Sequence, residues 1–407
     1  MTWPTIQYQA AFGAYPFAFA GGTYVDLAAY VTQLTIISPT RSRMLDTFRA
    51  GTMTATLDNA DRRFDPTNLS GPYVSGGRSQ IIPNLPVRAV ATYSATNYSL
   101  STCFRDSGGV TWADPSWSET VWAATDGFKL LGRAPIAASS FRGGGDGEQS
   151  GARINRILDN MGWAGGAYRS VATGLNRMQA SYLDMQPLQE LQLVAASEGG
   201  ELWCAGNGAV TFKDRSYRTS TTSWTFSDAS GSNDYTDLEL SDDDDVIVNF
   251  ASITRVGGSA QVAFDATSQD SYGYSTTGQW QRTDLVMYDD AEAAGIAWLA
   301  VDVNADSIVR FSSMTVDPTV NDALWTFVLG MQLGDRVTIT KTPPGGGSAI
   351  TRKCFVEGWR HDITPGNGGT QGVWRTEVIL SNAEGAWDDT FFVLDSSLLD
   401  GAHVLLW

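Results

Sequence analysis

The chain is broken into short runs that alternate polar and apolar residues. A run of period two can bury one whole face only as a β-strand. Residues 52–57 read Thr-Met-Thr-Ala-Thr-Leu, which sets Met53, Ala55 and Leu57 on one face. Residues 31–37, 87–93, 307–316 and 336–341 keep the same rhythm. Residues 351–363 and 373–380 flank the turn-rich Thr364-Pro-Gly-Asn-Gly-Gly, so the pattern predicts a long hairpin with a wide loop. Helical spacing is confined to a few stretches. Residues 152–161 align Ile154, Ile157, Leu158 and Met161. Residues 187–197 align Leu188, Leu191, Val194 and Ala195, with Pro187 suited to a first turn and Gly199-Gly200 to a stop. Residues 291–300 and 317–329 are further helix candidates.

These periodicities predict a mainly β fold with an α/β insertion. Residues 1–140 read as a first β domain of barrel or sandwich type. Residues 141–221 form a small mixed domain with two helices and a strand-turn-strand over 202–212. Residues 222–385 form a second β domain with helical excursions, and 386–407 a C-terminal tail. The second boundary is rich in Ser, Thr and Gly, and Asp242 to Asp245 lead into a strand over 246–255. No short-period repeat is visible.

Composition narrows the chemistry. Lys and Arg number 27 against 44 Asp and Glu, a formal charge of −17. That balance argues against wrapping nucleic acid, which needs clustered cations. Cys103, Cys204 and Cys354 are odd in number and far apart, so neither a disulfide framework nor a Cys-x-x-Cys metal site is expected. His361 and His403 are the only histidines, which leaves almost no material for histidine catalysis. No nucleophile elbow, Walker loop, zinc-protease helix or dinucleotide fingerprint occurs. The loop Gly143-Gly-Gly-Asp-Gly147 follows Arg142 rather than a buried strand and lacks a Lys-Ser/Thr, so it reads as an interdomain loop.

Weaker acidic signals also favour structural readings. Successive carboxylates of Asp242 to Asp245 would point to opposite faces of a strand, which suits solvated charge better than one cation. Asp302-Val-Asn-Ala-Asp306 has alternating oxygens but lacks the turn glycine and distal glutamate of a calcium loop. Glu198 and Glu201 could serve a glycosidase, but nothing in the sequence pre-positions them. Trp163, Trp298 and Trp325 fall at apolar positions of helices or adjoining turns, so core packing is expected for them. The uncharged stretch before Asp26 is interrupted by Pro4, Gly13, Pro16, Gly21 and Gly22, which fits a β segment with turns rather than a leader or membrane anchor. No catalytic, cofactor-binding or metal-binding residue is assigned.

Residues 41–66 carry the most specific signal. They run Arg41-Ser-Arg43-Met-Leu45-Asp-Thr-Phe48-Arg-Ala-Gly51, a strand, then Leu57-Asp58-Asn59-Ala-Asp61-Arg-Arg63-Phe64-Asp65-Pro66. The segment continues through Asn68 and Gly71-Pro-Tyr73 to Pro83-Asn-Leu-Pro86. This order of rare dipeptides resembles the N-terminal part of the minor tail proteins that form the tail-tip hub of actinobacterial siphophages. Further segments agree in order: Asp126-Gly127-Phe128, Arg153-Ile154, Glu198-Gly-Gly200, Gly206-Asn-Gly208, Phe212-Lys-Asp-Arg215, Leu333-Gly-Asp335 and Glu357-Gly-Trp359. The physics of the motif is structural. Asp58-Asn59 suit a side-chain-capped turn. Arg41, Arg43, Arg62 and Arg63 offer ion pairs to Asp58, Asp61 and Asp65.

The resemblance implies a trimeric baseplate hub, similar to those of contractile tails, in which each chain supplies two tube-like β domains. Three chains then match a six-fold tail tube while passing three-fold symmetry to the tip. It implies a virion protein assembled in the host cytoplasm and located at the tail tip. The implied partners are the distal tail and tail-tube proteins, the tape-measure protein and other minor tail proteins. DNA would pass through the channel without specific binding, and the acidic balance would keep it from adhering. No cofactor and no membrane anchor are implied. Two other classes compete. A carbohydrate- or receptor-binding adhesin would be β-rich and Trp-rich but would not need the motif framework. A wall hydrolase would need a catalytic domain, for which 386–407 is too short.

Overall fold

The structure is a computed structural model. It describes residues 3–43, 46–114, 117–133, 147–180, 185–218, 222–229, 231, 233–242, 246–274, 279–307, 309–366, 372–384, 390–391 and 403–404. The fold is mainly β, and its dominant feature is a 13-stranded sheet. In chain order its strands are β1 (Thr5–Ala10), β2 (Val25–Asp26), β3 (Val31–Ile37), β4 (Thr52–Asp58), β5 (Pro86–Tyr93), β6 (Thr96–Asp114) and β7 (Trp117–Thr125). They continue as β8 (Trp224–Ser227), β9 (Asp237–Ser241), β10 (Arg310–Val316), β11 (Arg336–Lys341), β12 (Ile350–Thr364) and β13 (Val373–Asn382). The path is β9-β10-β13-β12-β3-β4-β7-β6-β5-β1-β2, with β11 also on β12 and β8 on β11. Alternation decides which face is buried. Met53, Ala55 and Leu57 of β4 are buried in one core with Leu34, Val87, Met314 and Val378.

Two sets of strands in this sheet follow the same route. The neighbours run β3-β4-β7-β6-β5-β1 in the first set and β9-β10-β13-β12-β11-β8 in the second, with members in the same chain order. Some details differ: β1 lies antiparallel to β5, whereas β8 lies parallel to β11, and β5–β6 and β9–β10 shift register at Ala89/Val90 and Glu239/Leu240, where their counterparts run straight. Pairing register superposes the sets residue by residue. Cys103-Phe104 of β6 falls on Cys354-Phe355 of β12, and Val87 on Val337. Thr54-Ala-Thr-Leu-Asp58 falls on Ser313-Met-Thr-Val-Asp317. Both long strands shift register around one extra acidic residue, Asp106 in β6 and Glu357 in β12. The sets meet edge to edge, where Arg360 to Ile363 of β12 pair antiparallel with Ile37 to Leu34 of β3.

Two insertions interrupt the sets. Between β7 and β8 lie a one-turn helix (Phe128–Leu131), α1 (Ser150–Asn160), α2 (Pro187–Glu198) and a three-stranded sheet of Arg169–Val171, Val210–Lys213 and Glu201–Cys204. These share a separate core that includes Ile154, Leu191, Phe212 and Trp163. Pro187 opens α2, and Gly199 closes it in the left-handed region at φ 68°, a conformation that favours glycine. Between β9 and β10 lies a second three-stranded sheet, Gln261–Phe264, Phe250–Arg255 and Gln279–Leu285, under α3 (Asp290–Asn304). Asp289 caps α3 by accepting from the Glu292 N–H at 2.9 Å.

Three expectations need correction. The helix expected over 317–329 begins only at Leu324, as α4 (Leu324–Gly330), because the side chains of Asp317 and Asn321 accept from the N–H groups of Thr319 and Ala323 and hold turns instead. Strands expected from 246 and 307 begin at Phe250 and Arg310. Trp298 is 53 % exposed, since α3 buries the face bearing Ala293, Ile296, Ala297, Ala300 and Val301. Trp163 and Trp325 are buried. Asp302 and Asn304 lie on the last turn of α3, where their oxygens do not alternate as on a loop. Most of the Gly143–Gly147 loop, Asp243 to Asp245 and most of the C-terminal tail lie outside the described residues. No helix among the described residues is long and apolar enough to cross a membrane.

Candidate functional site

After β3 the chain turns across the bulge of β12. Ser38 N–H donates to Trp359 O at 2.9 Å, Trp359 N–H donates to Ser38 Oγ at 2.8 Å, and Arg41 N–H reaches Glu357 O at 3.4 Å. Gly358 is required by this crossing, because a Cβ there would lie 2.6 Å from Thr40 Oγ1. The bulge turns Glu357 inward. Its carboxylate accepts from Arg41 Nε at 2.7 Å, Arg218 Nη2 at 2.8 Å and Ser381 Oγ at 2.6 Å.

Glu201, the first residue of its strand in the mixed insertion, completes the cluster. It accepts from Arg41 Nη2 at 2.5 Å, from Arg218 Nε and Nη2 at 3.0 and 2.8 Å, and from the Tyr217 hydroxyl. Two guanidiniums and two carboxylates are thus interleaved and all buried. Arg41 also lies over the Phe48 ring at 4.5 Å, and Arg218 over Phe355 at 4.4 Å. Burial alone would raise the Glu357 carboxyl, but Arg218 and Arg41 hold it below its usual range. Burial would likewise lower both arginines, yet Glu201 and Glu357 hold them above their ordinary values. The cluster ties together the loop after β3, the mixed insertion, the segment before β8, and β12.

Another buried carboxylate lies where the chain leaves β7. Asp126, after β7, accepts from Gly51 N–H at 2.6 Å and Phe128 N–H at 2.9 Å. Burial pushes its carboxyl up to about 7, against the pull of those two donors. A Cβ at Gly127 would come within 2.5 Å of the Trp163 ring, so glycine lets the chain enter the mixed insertion.

The motif residues separate into distinct local structures. Arg41 and Phe48 join the cluster, and Gly51 binds Asp126. Arg43 pairs with Asp46 on the surface, and Leu45 lies outside the described residues. Leu57 is fully buried in β4. Asp58 Oδ1 accepts from Ala60 N–H at 2.9 Å, and buried Asn59 accepts from Phe64 N–H at 2.8 Å, which builds the expected side-chain-capped turn. Phe64 packs edge-on against Trp122 at 5.4 Å. Asp61 pairs with Arg63, which covers the Tyr30 ring at 3.8 Å. Asp65 accepts from Arg62 at 2.9 Å and from Thr67 N–H at 2.8 Å, with Pro66 exposed beside it. The expected single set of arginines around three aspartates is therefore divided among these pairs.

Other titratable groups that the sequence singles out are also held in buried contacts. Glu198 has partners of its own and accepts from Ser150 Oγ at 2.7 Å and from the N–H groups of Leu175 and Asn176 at 2.9 Å. The three cysteines are buried, and burial pushes the Cys354 thiol up to about 12. His361 is buried against Thr376 at 2.9 Å, and burial holds its imidazole down to about 3. Among the described residues no cluster of three or more metal-ligating side chains occurs. Sequence reasoning missed the role of Glu357, Arg218 and Tyr217. The available signal was Gly358, a glycine inside a strand pattern beside a charged residue.

No protein-family model matches the chain, and no curated protein matches its sequence. Among solved structures, the tail protein from Neisseria meningitidis MC58 aligns with a TM-score of 0.58 at 13% identity, over 94% of this chain and 98% of that one. The 43 kDa tail protein of prophage MuSo2 from Shewanella oneidensis aligns with a TM-score of 0.54 at 11% identity, over 93% and 97%. At such identities the likeness is one of fold.

Proposed function

We propose that this chain is a structural protein of a phage tail, forming a trimeric hub at the tail tip that joins a six-fold tube to three-fold tip components and lines the DNA exit channel. The observation that carries the reading is the repeated strand order within one chain, joined edge to edge by β12 and β3. A subunit with two equivalent β units can make a six-part wall from three copies. The near full-length fold likeness to two tail proteins supports it. So does the charge of −17, which disfavours retention of DNA.

On this reading residues 1–140 and 222–385 are the tube-like domains, 141–221 is the mixed domain between them and 386–407 is a tail. The motif from Arg41 to Pro66 then serves as scaffold: it shapes the turn after β4 and anchors the ion cluster. The proposed partners are the distal tail and tube proteins, the tape-measure protein and other minor tail proteins, in a siphophage of the kind the motif resembles. No reaction is assigned, because the carboxylates that could have served one are held in buried structural contacts. Electron microscopy of particles carrying a tagged chain tests the location. Density on the tail axis at the tip is expected. Tag density on peripheral fibres would overturn the hub and favour a receptor-binding adhesin.

A further inference from the structure

Among the described residues the 13-stranded sheet leaves two strand edges open at positions whose counterparts are paired. Beyond its bulge, β12 pairs with β13 on one edge and with β3 on the other. Beyond its own bulge, β6 pairs with β7 alone among the described residues. The counterpart of β3 is β9, which pairs with β10 alone among the described residues. The chain thus makes this join once, between the end of the second set and the start of the first. It carries the counterparts of the two halves of that join on its flanks.

The burial of side chains follows that difference. Ile363 and Leu34, opposite each other at the internal join, are 1% and 0% exposed. Trp112, the counterpart of Ile363, is 63% exposed; Leu238, the counterpart of Leu34, is half-buried, and Leu240 two residues on is 51% exposed. Open edges with large apolar side chains are templates for strand addition. The two edges sit at separate places along the sheet path, with β10, β13, β12, β3, β4 and β7 between them. Within one copy the two edges do not pair with each other among the described residues. The occupant that fits is a second copy of this chain.

We propose that β6 of one copy pairs antiparallel with β9 of the next, repeating the β12–β3 join between chains. The register transfers directly. Asp362 opposes Thr35 and Ile363 opposes Leu34 at the internal join. Thr111 and Trp112 hold the same places after the β6 bulge, and Glu239 and Leu238 hold the same places opposite β10. Thr111 of one copy then lies opposite Glu239 of the next, and Trp112 opposite Leu238. The contact is heterologous, and with the three-fold rotation of the hub reading its repetition closes a ring. The proposal rests on the hub reading and names the surface that builds the hub.

Particles assembled with the double variant Thr111→Cys/Glu239→Cys test it, treated with a short bis-maleimide. Both positions are exposed, so the substitutions leave the fold intact, and the native cysteines are buried. Covalent dimers and trimers are expected. Either single variant, or Thr111→Cys combined with Val262→Cys on the other sheet, should stay monomeric on a denaturing gel. Normal three-fold tips with no cross-link from the double variant would overturn the strand assignment and leave the hub reading standing. A reconstruction with no axial ring would remove both.

Discussion

β6 and β12 are equivalent strands that meet different surroundings. At the bulge of β12, Glu357 is fully buried and held by Arg41 and Arg218, because β3 and the loop after it cross over the strand. At the bulge of β6, Asp106 has a side chain 31% exposed and meets Lys129 Nζ at 2.8 Å, and the strand beyond it pairs with β7 alone among the described residues. The same backbone device is thus a sealed junction in one half and an unfinished one in the other. The difference lies in what covers each edge: the chain covers the first, and a neighbour is proposed for the second.

The largest expected effect comes from breaking the sheet that both halves share. Leu57→Asp would bury a carboxylate with no partner in the core of β4, at a cost of about 5 kcal/mol or more, comparable to the whole stability of many domains. Soluble yield and circular dichroism should reveal loss of the fold, and particles built with the variant should lack finished tails. Retention of a normal melting transition would mean that this strand face is not buried.

Glu357→Gln against Asp106→Asn tests the bulges directly. Removing Glu357 leaves two guanidiniums buried over one carboxylate, with an expected loss of about 3–5 kcal/mol. Asp106→Asn leaves Lys129 bound to the carbonyls of Phe104 and Arg105, so no more than about 2 kcal/mol is expected. Urea unfolding midpoints give the comparison, and equal shifts would remove the distinction between sealed and open bulges.

The pH response should also divide the halves. Burial raises Asp126 to about 7, so the folded chain holds that proton more tightly than the unfolded chain does. Its contribution is full below about 4 and is lost as pH rises toward about 7. His361 has the opposite sign. Burial lowers it to about 3, so stability is full above about 6.5 and is lost as pH falls toward about 3. Between about 4 and 6.5 the two contributions oppose each other, so unfolding midpoints in that range should rise with pH in Asp126→Asn and fall with pH in His361→Gln. A slope unchanged by either variant would contradict the assignment.

A smaller effect distinguishes the two residues that follow the bulges. Gly358→Ser should cost about 1–3 kcal/mol by pushing into Thr40, whereas Ser107, its exposed counterpart, already carries a side chain there. Ser107→Gly should change the unfolding free energy from urea titration by no more than about 0.5 kcal/mol.

Much of this fold is legible in residue periodicity. The alternation in β4 and the long β12–β13 hairpin follow from sequence patterns, as do the spacing of α1 and the proline and glycine that bound α2. The internal repeat is not legible, because the insertions fall in different places. One follows β7 and the other separates β9 from β10, so no constant spacing survives. Only fragments persist, such as Cys103-Phe104 against Cys354-Phe355. The ion cluster is hidden for a related reason. Arg41, Glu201, Arg218 and Glu357 are brought together by the fold, and each alone resembles a surface charge. Trp298 shows the limit of periodicity, since a helix with many small residues offers more than one apolar face.

The most direct test is a reconstruction of the tail tip that resolves strands. The account predicts three copies around the axis and a sheet that passes without interruption from β6 of one copy to β9 of the next, matching the β12–β3 join inside each chain. Six copies around the axis, or three copies with β6 and β9 turned away from each other, would contradict it.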